Sequence, residues 1–150
     1  MENMSEQHLT SVEGTLTSAL LAWSAASVAL GATLAVAGKA HKSDEVTAFG
    51  RQTAAWGVVD ALIAGAGVLS RRRRGPLSGD EADKKIRSLR TLLLVNAAAD
   101  VGYIAGGALL IARGRGGRKT LRMSAGDGAA IAVQGAFLLA LDLSQARRLP

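Results

Sequence analysis

Residues 14–38 read GTLTSALLAWSAASVALGATLAVAG, 25 consecutive residues without a charge. At 1.5 Å rise per residue, a helix of that length exceeds the roughly 30 Å of a bilayer's hydrocarbon core. Three weaker apolar stretches follow, at 46–69, 91–112 and 125–143, none of them free of charge throughout. A soluble Ala-rich bundle would give each helix a charged outer face, whereas these segments are apolar or small all round. The expectation is an all-α protein, an up-down bundle of four transmembrane helices at 14–38, 46–69, 91–112 and 125–143, forming one domain over residues 1–150.

Composition fits that reading and removes several chemistries. Hydrophobic residues make up 49% of the chain and the mean hydropathy is +0.22, so the distribution rather than the total identifies the spans. The segment before the first span carries Glu2, Glu6 and Glu13 and no Lys or Arg, the wrong charge for a cleaved signal peptide. Cysteine is absent, which excludes thiolate and disulfide chemistry. His8 and His41 fall outside the spans, so no haem is held between helices by paired imidazoles. No metal centre, cofactor, phosphate loop or Ser/His/Asp set is implied.

Two aspartates, Asp60 and Asp100, stand near the middles of their spans. A carboxylate at the bilayer centre costs about 2.5–3.5 kcal/mol on insertion scales, so it persists only where partnered, protonated or needed. Polar residues recur around both at helical spacing: Gln52, Trp56 and Asp60 on the second span, Asn96, Asp100 and Tyr103 on the third, Gln134, Leu138 and Asp142 on the fourth. Such spacings share one helix face, which in a membrane turns inward. If the second and third helices touch, Asp60 and Asp100 can share a proton, because two close carboxylates cannot both ionise cheaply. Asn96, Tyr103 and Gln134 offer donors to them, and Arg51 is a candidate counter-ion.

Trp23 and Trp56 lie inside their spans rather than at the interfaces where tryptophan concentrates. A buried indole needs an acceptor, and Asp60, one turn from Trp56, is placed to supply one. Gly102 and Gly106 form a GxxxG, and Ala61 with Gly65 a small-xxx-small pair; both read first as packing within the bundle and second as a contact between protomers. The halves also align faintly. Leu20–Val28 matches Leu93–Val101, and Gly50 with Trp56-Gly57 matches Gly128 with Gln134-Gly135, as expected of two tandem helical hairpins.

The basic runs RRRRG (71–75) and RGRGGR (113–118) each follow an apolar span. Arginine there anchors helix ends against anionic headgroups, so lipids rather than nucleic acid are the expected partners.

The strings Asn96-Ala97-Ala98-Ala99-Asp100-Val101-Gly102-Tyr103 and Val133-Gln134-Gly135-Ala136-Phe137-Leu138-Leu139, with Trp56-Gly57 and Asp60 upstream, resemble a group of small prokaryotic four-helix integral membrane proteins without an assigned function. The resemblance covers residues 48–142. It implies a membrane location and marks Trp56, Asp60, Asn96, Asp100, Tyr103 and Gln134 as a recurrent polar set, but implies no activity. Small multidrug exporters, by contrast, carry an essential glutamate in the first span, which here holds no acid.

The functional expectation is a site for a small solute, proton or cation, formed by Asp60, Asp100, Asn96, Tyr103, Trp56 and Gln134. The alternative is a non-catalytic structural or assembly subunit, with homo-oligomers included. An intramembrane enzyme ranks third, for want of a nucleophile or metal ligands.

Four crossings put both termini and the 70–90 loop on one side. That side carries Arg71–Arg74, Lys84, Lys85, Arg87, Arg90, Arg147 and Arg148, ten cations, against seven opposite: Lys39, Lys42, Arg113, Arg115, Arg118, Lys119 and Arg122. The positive-inside rule then makes the termini cytoplasmic in an inner (plasma) membrane. A single cysteine introduced by Ser78→Cys should resist an impermeant thiol reagent in intact cells and react after lysis; labelling in intact cells would reverse the orientation.

Overall fold

The computed structural model describes residues 4–115 and 123–150. They form four helices, α1 (Met4–Ala40), α2 (Asp44–Arg73), α3 (Gly79–Arg115) and α4 (Ala125–Ala146). The fold is all-α, and every helix is long and apolar enough to cross a membrane.

Local chemistry sets the helix ends. After α1, Lys42 takes a left-handed φ of 55°, and the Ser43 N–H returns to the Gly38 carbonyl at 2.8 Å. The Ser43 side chain then accepts from Val46 N–H to open α2. At the start of α3, the Ser78 N–H and hydroxyl donate to the Glu81 carboxylate at 2.9 and 2.8 Å. Those bonds hold Glu81 below its ordinary pKa. The polar segment from Gly79 to Arg90 is therefore continuous with the apolar helix behind it. Ser124 and Asp127 form a capping box at α4, which satisfies N–H groups the helix leaves unpaired.

The helices associate as two antiparallel hairpins, α1 with α2 and α3 with α4; α2 and α4 make the main contact between hairpins, while the α2 and α3 backbones stay apart. Each hairpin closes along small residues seven apart. In the first, Ser24 meets Gly57, Gly31 meets Gly50 and Gly38 meets Thr47; in the second, Asp100 meets Gly135, Gly107 meets Gly128 and Gly114 meets Ala125. The approach is backbone to backbone. A Cβ on Gly50 would come within 2.6 Å of the Gly31 carbonyl oxygen, and one on Gly128 within 2.6 Å of that of Gly107. A heptad repeat of small residues is what a left-handed, near-antiparallel pair needs to bring its axes this close.

These seams correct two readings of the sequence. Cβ positions at Gly65, Gly102 and Gly106 would meet nothing within 4 Å, so neither small-residue motif packs inside the chain. The tandem repeat also shifts. Gly50 and Gly57 do correspond to Gly128 and Gly135, but Gly31 and Gly38 correspond to Gly107 and Gly114, and Ser24 to Asp100. That displaces the α1–α3 alignment by three residues from the Leu20–Leu93 match.

At one end the termini are tied together. Leu9, Val12, Ile86, Leu93, Ala146 and Leu149 form a buried cluster, and His8 Nε2 lies 2.6 Å from the Arg148 carbonyl oxygen. Arg74 forks onto Glu13 at 2.9 and 2.8 Å, a bond that pushes the Arg74 pKa above its ordinary value. Leu77 N–H donates to Glu6 at 3.0 Å. Both termini and the α2–α3 connection thus share one end. At the other end, Glu45 on α2 accepts from the Gly126 N–H of α4. Arg118, Lys119 and Arg122, counted there in the charge comparison, lie outside the described residues.

The distribution of polarity is inverted. Asp60 and Asp100 are 1% and 2% exposed, while Val36, Leu62 and Val95 face outward at 69%, 69% and 61%.

Gly50→Ala should lower stability by about 1–3 kcal/mol, as overpacking of a closed seam does. Gly102→Ala, on an open face, should be neutral or stabilising by up to about 1 kcal/mol from helix propensity. Thermal unfolding of the two variants in detergent reads the contrast; equal effects would mean that the seams do not hold the hairpins.

Candidate functional site

A cavity of about 410 Å³ lies between the hairpins, in the half of the bundle nearer the termini. All four helices line it. Its deep wall carries three carboxylates, Asp60 on α2, Asp100 on α3 and Asp142 on α4, and its end is marked by Arg71 and Glu13. Trp56 and Arg71 both line it from α2, so it extends about 22 Å along that helix at 1.5 Å per residue.

The carboxylates arrive there for different reasons. Asp60 is held by a relay through three helices: Trp23 Nε1 donates to Gln134 Oε1 at 2.8 Å, and Gln134 Nε2 donates to Asp60 Oδ2 at 2.6 Å. Trp23 is fixed in turn by stacking on Phe137, centroids 4.0 Å apart and rings 5° from parallel. Asp100 and Asp142 extend the α3–α4 seam. They fall seven residues from Gly107 and Gly135, where the first hairpin has Ser24 and Ala64. Ser24 closes its seam by donating to the Gly57 carbonyl at 2.6 Å. The second hairpin instead puts two acids at that level, near enough to repel each other, with Asn96 in hydrogen-bonding reach of Asp142.

Three buried polar atoms here have no hydrogen-bond partner among the described residues: Asp60 Oδ1, Asp100 Oδ2 and Trp56 Nε1. A buried group left unmatched costs about 1–3 kcal/mol, more if charged. The site therefore presents two acceptors and one donor that the fold does not use. Trp56 meets Tyr103 edge-on at 5.4 Å.

Of the six residues singled out in the sequence, Trp56, Asp60, Asn96, Asp100 and Tyr103 line this cavity. Gln134 is buried behind it and reaches it only through Asp60. Asn96 and Tyr103 sit on its exposed side rather than in the interior. Asp60 does not accept from Trp56; the tryptophan that finds an acceptor is Trp23, and that acceptor is Gln134. Arg51 pairs with Asp127 at 3.3 Å and is no counter-ion to the mid-helix acids. Asp60 and Asp100 share a cavity although the backbones of their helices stay apart and touch through the Trp56 and Tyr103 rings. The residue that sequence reasoning leaves out of the site is Asp142. Its seven-residue spacing from Gly135 is the signal that points to it.

Fold and cavity together define a small four-helix protein with apolar helices outside and acids within. The chain belongs to a family of unknown function, DUF6992, whose match covers residues 19–143. That match begins before residue 48 and so takes in Trp23. No curated protein and no solved structure matches the chain.

Gln134→Leu should cost about 1–3 kcal/mol, because it strands the Trp23 N–H and one Asp60 oxygen together. Gln52→Leu, for which no such pairing is seen, should change stability by less than about 0.5 kcal/mol. Thermal unfolding with tryptophan emission checks both; a silent Gln134→Leu would mean that the relay is not formed.

Proposed function

We propose that this is an integral protein of the inner (plasma) membrane, with cytoplasmic termini, that binds or carries a small cation or proton at the face built by Asp60 and Asp100. The observation carrying this reading is that two buried carboxylates with unpartnered oxygens line one cavity together with Asp142. Helices that only needed joining would have no use for those oxygens. A ligand bearing positive charge would satisfy them and favour their ionised form. We read Trp56, Asn96, Tyr103 and Gln134 as the surrounding polar set, Gln134 by orienting Asp60.

The second reading is a structural or assembly subunit, and one observation favours it. Gly65, Gly102 and Gly106 present open faces suited to close contact with another helix or a second copy. Lipids would meet the basic ends in either case.

Asp100→Asn separates the two readings, since it keeps size and hydrogen bonding and removes ionisation. For a cation site, a bound cation at a hundredfold excess over Kd adds about 2.7 kcal/mol of stability. Protons compete for the same oxygens, so that gain should be present at high pH and fade as pH falls. Asp100→Asn should fold normally and show neither the gain nor its pH dependence, while Asp100→Leu should be modestly less stable. Thermal unfolding from about pH 5 to about pH 9, with and without sodium, potassium and ethylamine, reads this. Identical profiles for wild type and Asp100→Asn would leave the structural reading.

A further inference from the structure

We infer that the cation taken by this cavity is a lipophilic organic amine, and that it reaches the carboxylates sideways through a mouth between α2 and α3. The inference rests on the cation-site reading above and names its ligand class and route.

The mouth follows from packing. The seams bind α1 to α2 and α3 to α4, and the α2 and α3 backbones do not approach each other; these two helices touch through the edge-on rings of Trp56 and Tyr103, which bound the mouth at one end. Ile63 on α2 and Leu92 and Tyr103 on α3 all line the cavity, yet are 58%, 55% and 40% exposed on the outside of the bundle. A residue that is both lining and exposed marks an opening. This one lies along the helix flanks, where apolar side chains face outward, rather than at a charged end. In a membrane it would open onto acyl chains.

The chemistry of the walls selects the occupant. Leu16, Leu20, Leu138 and Leu141 line the same cavity as the three acids, so it is apolar along much of its surface and anionic at its depth. A volume of about 410 Å³ falls within the range of pockets for small organic molecules and far exceeds a bare ion. Among the described residues no three acidic or histidine side chains converge as metal ligands would. Carboxylates spread along an apolar wall suit an ammonium head with a hydrocarbon tail. The head would meet Asp60 Oδ1 or Asp100 Oδ2, unpartnered oxygens of residues 1% and 2% exposed. Trp56 and Tyr103, which line the cavity, would add cation–π attraction where a ring face is free, and the tail would leave through the mouth.

The test uses the full chain in phosphatidylcholine nanodiscs, with octylamine and ethylamine as probes of equal head and unequal tail. Binding is followed by tryptophan emission and thermal stability. Octylamine should bind wild type and be lost in Asp60→Asn and Asp100→Asn. Filling the mouth with Ile63→Phe and Leu92→Phe should slow octylamine association roughly tenfold, the low end of the spread of on-rates among variants of one binding surface. Opening it with Ile63→Ala and Leu92→Ala should speed association, which keeps the test decisive if the filled variant folds poorly. Octylamine association unchanged by both mouth variants would overturn the sideways route. Ethylamine binding as tightly as octylamine, or sodium or potassium alone protecting wild type and not Asp100→Asn, would overturn the lipophilic ligand while leaving the cation site standing. If no cation of any kind distinguishes wild type from Asp100→Asn, the site reading falls and this inference with it.

Discussion

Glycine against glycine, at seven-residue intervals, is the contact from which the rest of this molecule follows. At Gly31–Gly50 and at Gly107–Gly128 the two backbones leave no room for a Cβ between them. Helices apolar on every side have no hydrophobic preference for one partner face over another once surrounded by lipid; close packing and interhelical hydrogen bonds must choose. The seams make that choice within each hairpin. They commit the small residues of α1 and α2 to each other and those of α3 and α4 to each other. What joins the hairpins is then chiefly the α2–α4 contact, the buried cluster at the termini, the relay from Trp23 through Gln134 to Asp60, and the ring contacts Trp23–Phe137 and Trp56–Tyr103. The space between α2 and α3 is what this arrangement leaves over.

The difference between the hairpins accounts for two of the three acids in that space, Asp100 and Asp142. Both follow the same plan, and in the first Ser24 ends the seam with a hydrogen bond to a facing carbonyl. In the second the equivalent position is Asp100, and Asp142 stands where the first hairpin has Ala64. A serine can be satisfied by backbone. Two carboxylates at one level cannot satisfy each other without a proton or a cation between them. Two residues that differ between the matching seams thus put carboxylates where the first hairpin has Ser24 and Ala64.

Part of this is legible in the sequence. The apolar helices can be read because a charge-free run as long as 14–38 suits a membrane span and little else. Asp60 and Asp100 can be read because a charge inside an apolar run is conspicuous. Helical spacing gathers Trp56, Asn96 and Tyr103 with them, since side chains on one face of one helix share an environment. It does not reveal Trp23 bonding to Gln134, because that pair lies 111 residues apart and periodicity within a helix says nothing about its neighbours. The same limit hides the partner of Arg51, which is Asp127 on another helix. The glycines mislead for a different reason. With 18 in the chain, spacings of four and of seven both occur, and the four-residue spacing is the more familiar packing signal in membranes. The seven-residue spacing is present at Gly31 and Gly38, Gly50 and Gly57, Gly107 and Gly114, Gly128 and Gly135. Followed one step further, it leads to Asp100 and Asp142 together.

Native mass spectrometry of the purified protein tests the central claim, that the acidic cavity holds a positively charged small molecule, most directly. Wild type released from a gentle detergent should carry an added mass of a small organic cation at one per chain, and the double variant Asp60→Asn with Asp100→Asn should emerge without it. Wild type at its bare chain mass, or the same added mass retained equally by the double variant, would contradict the claim and leave the carboxylates as part of the packing alone.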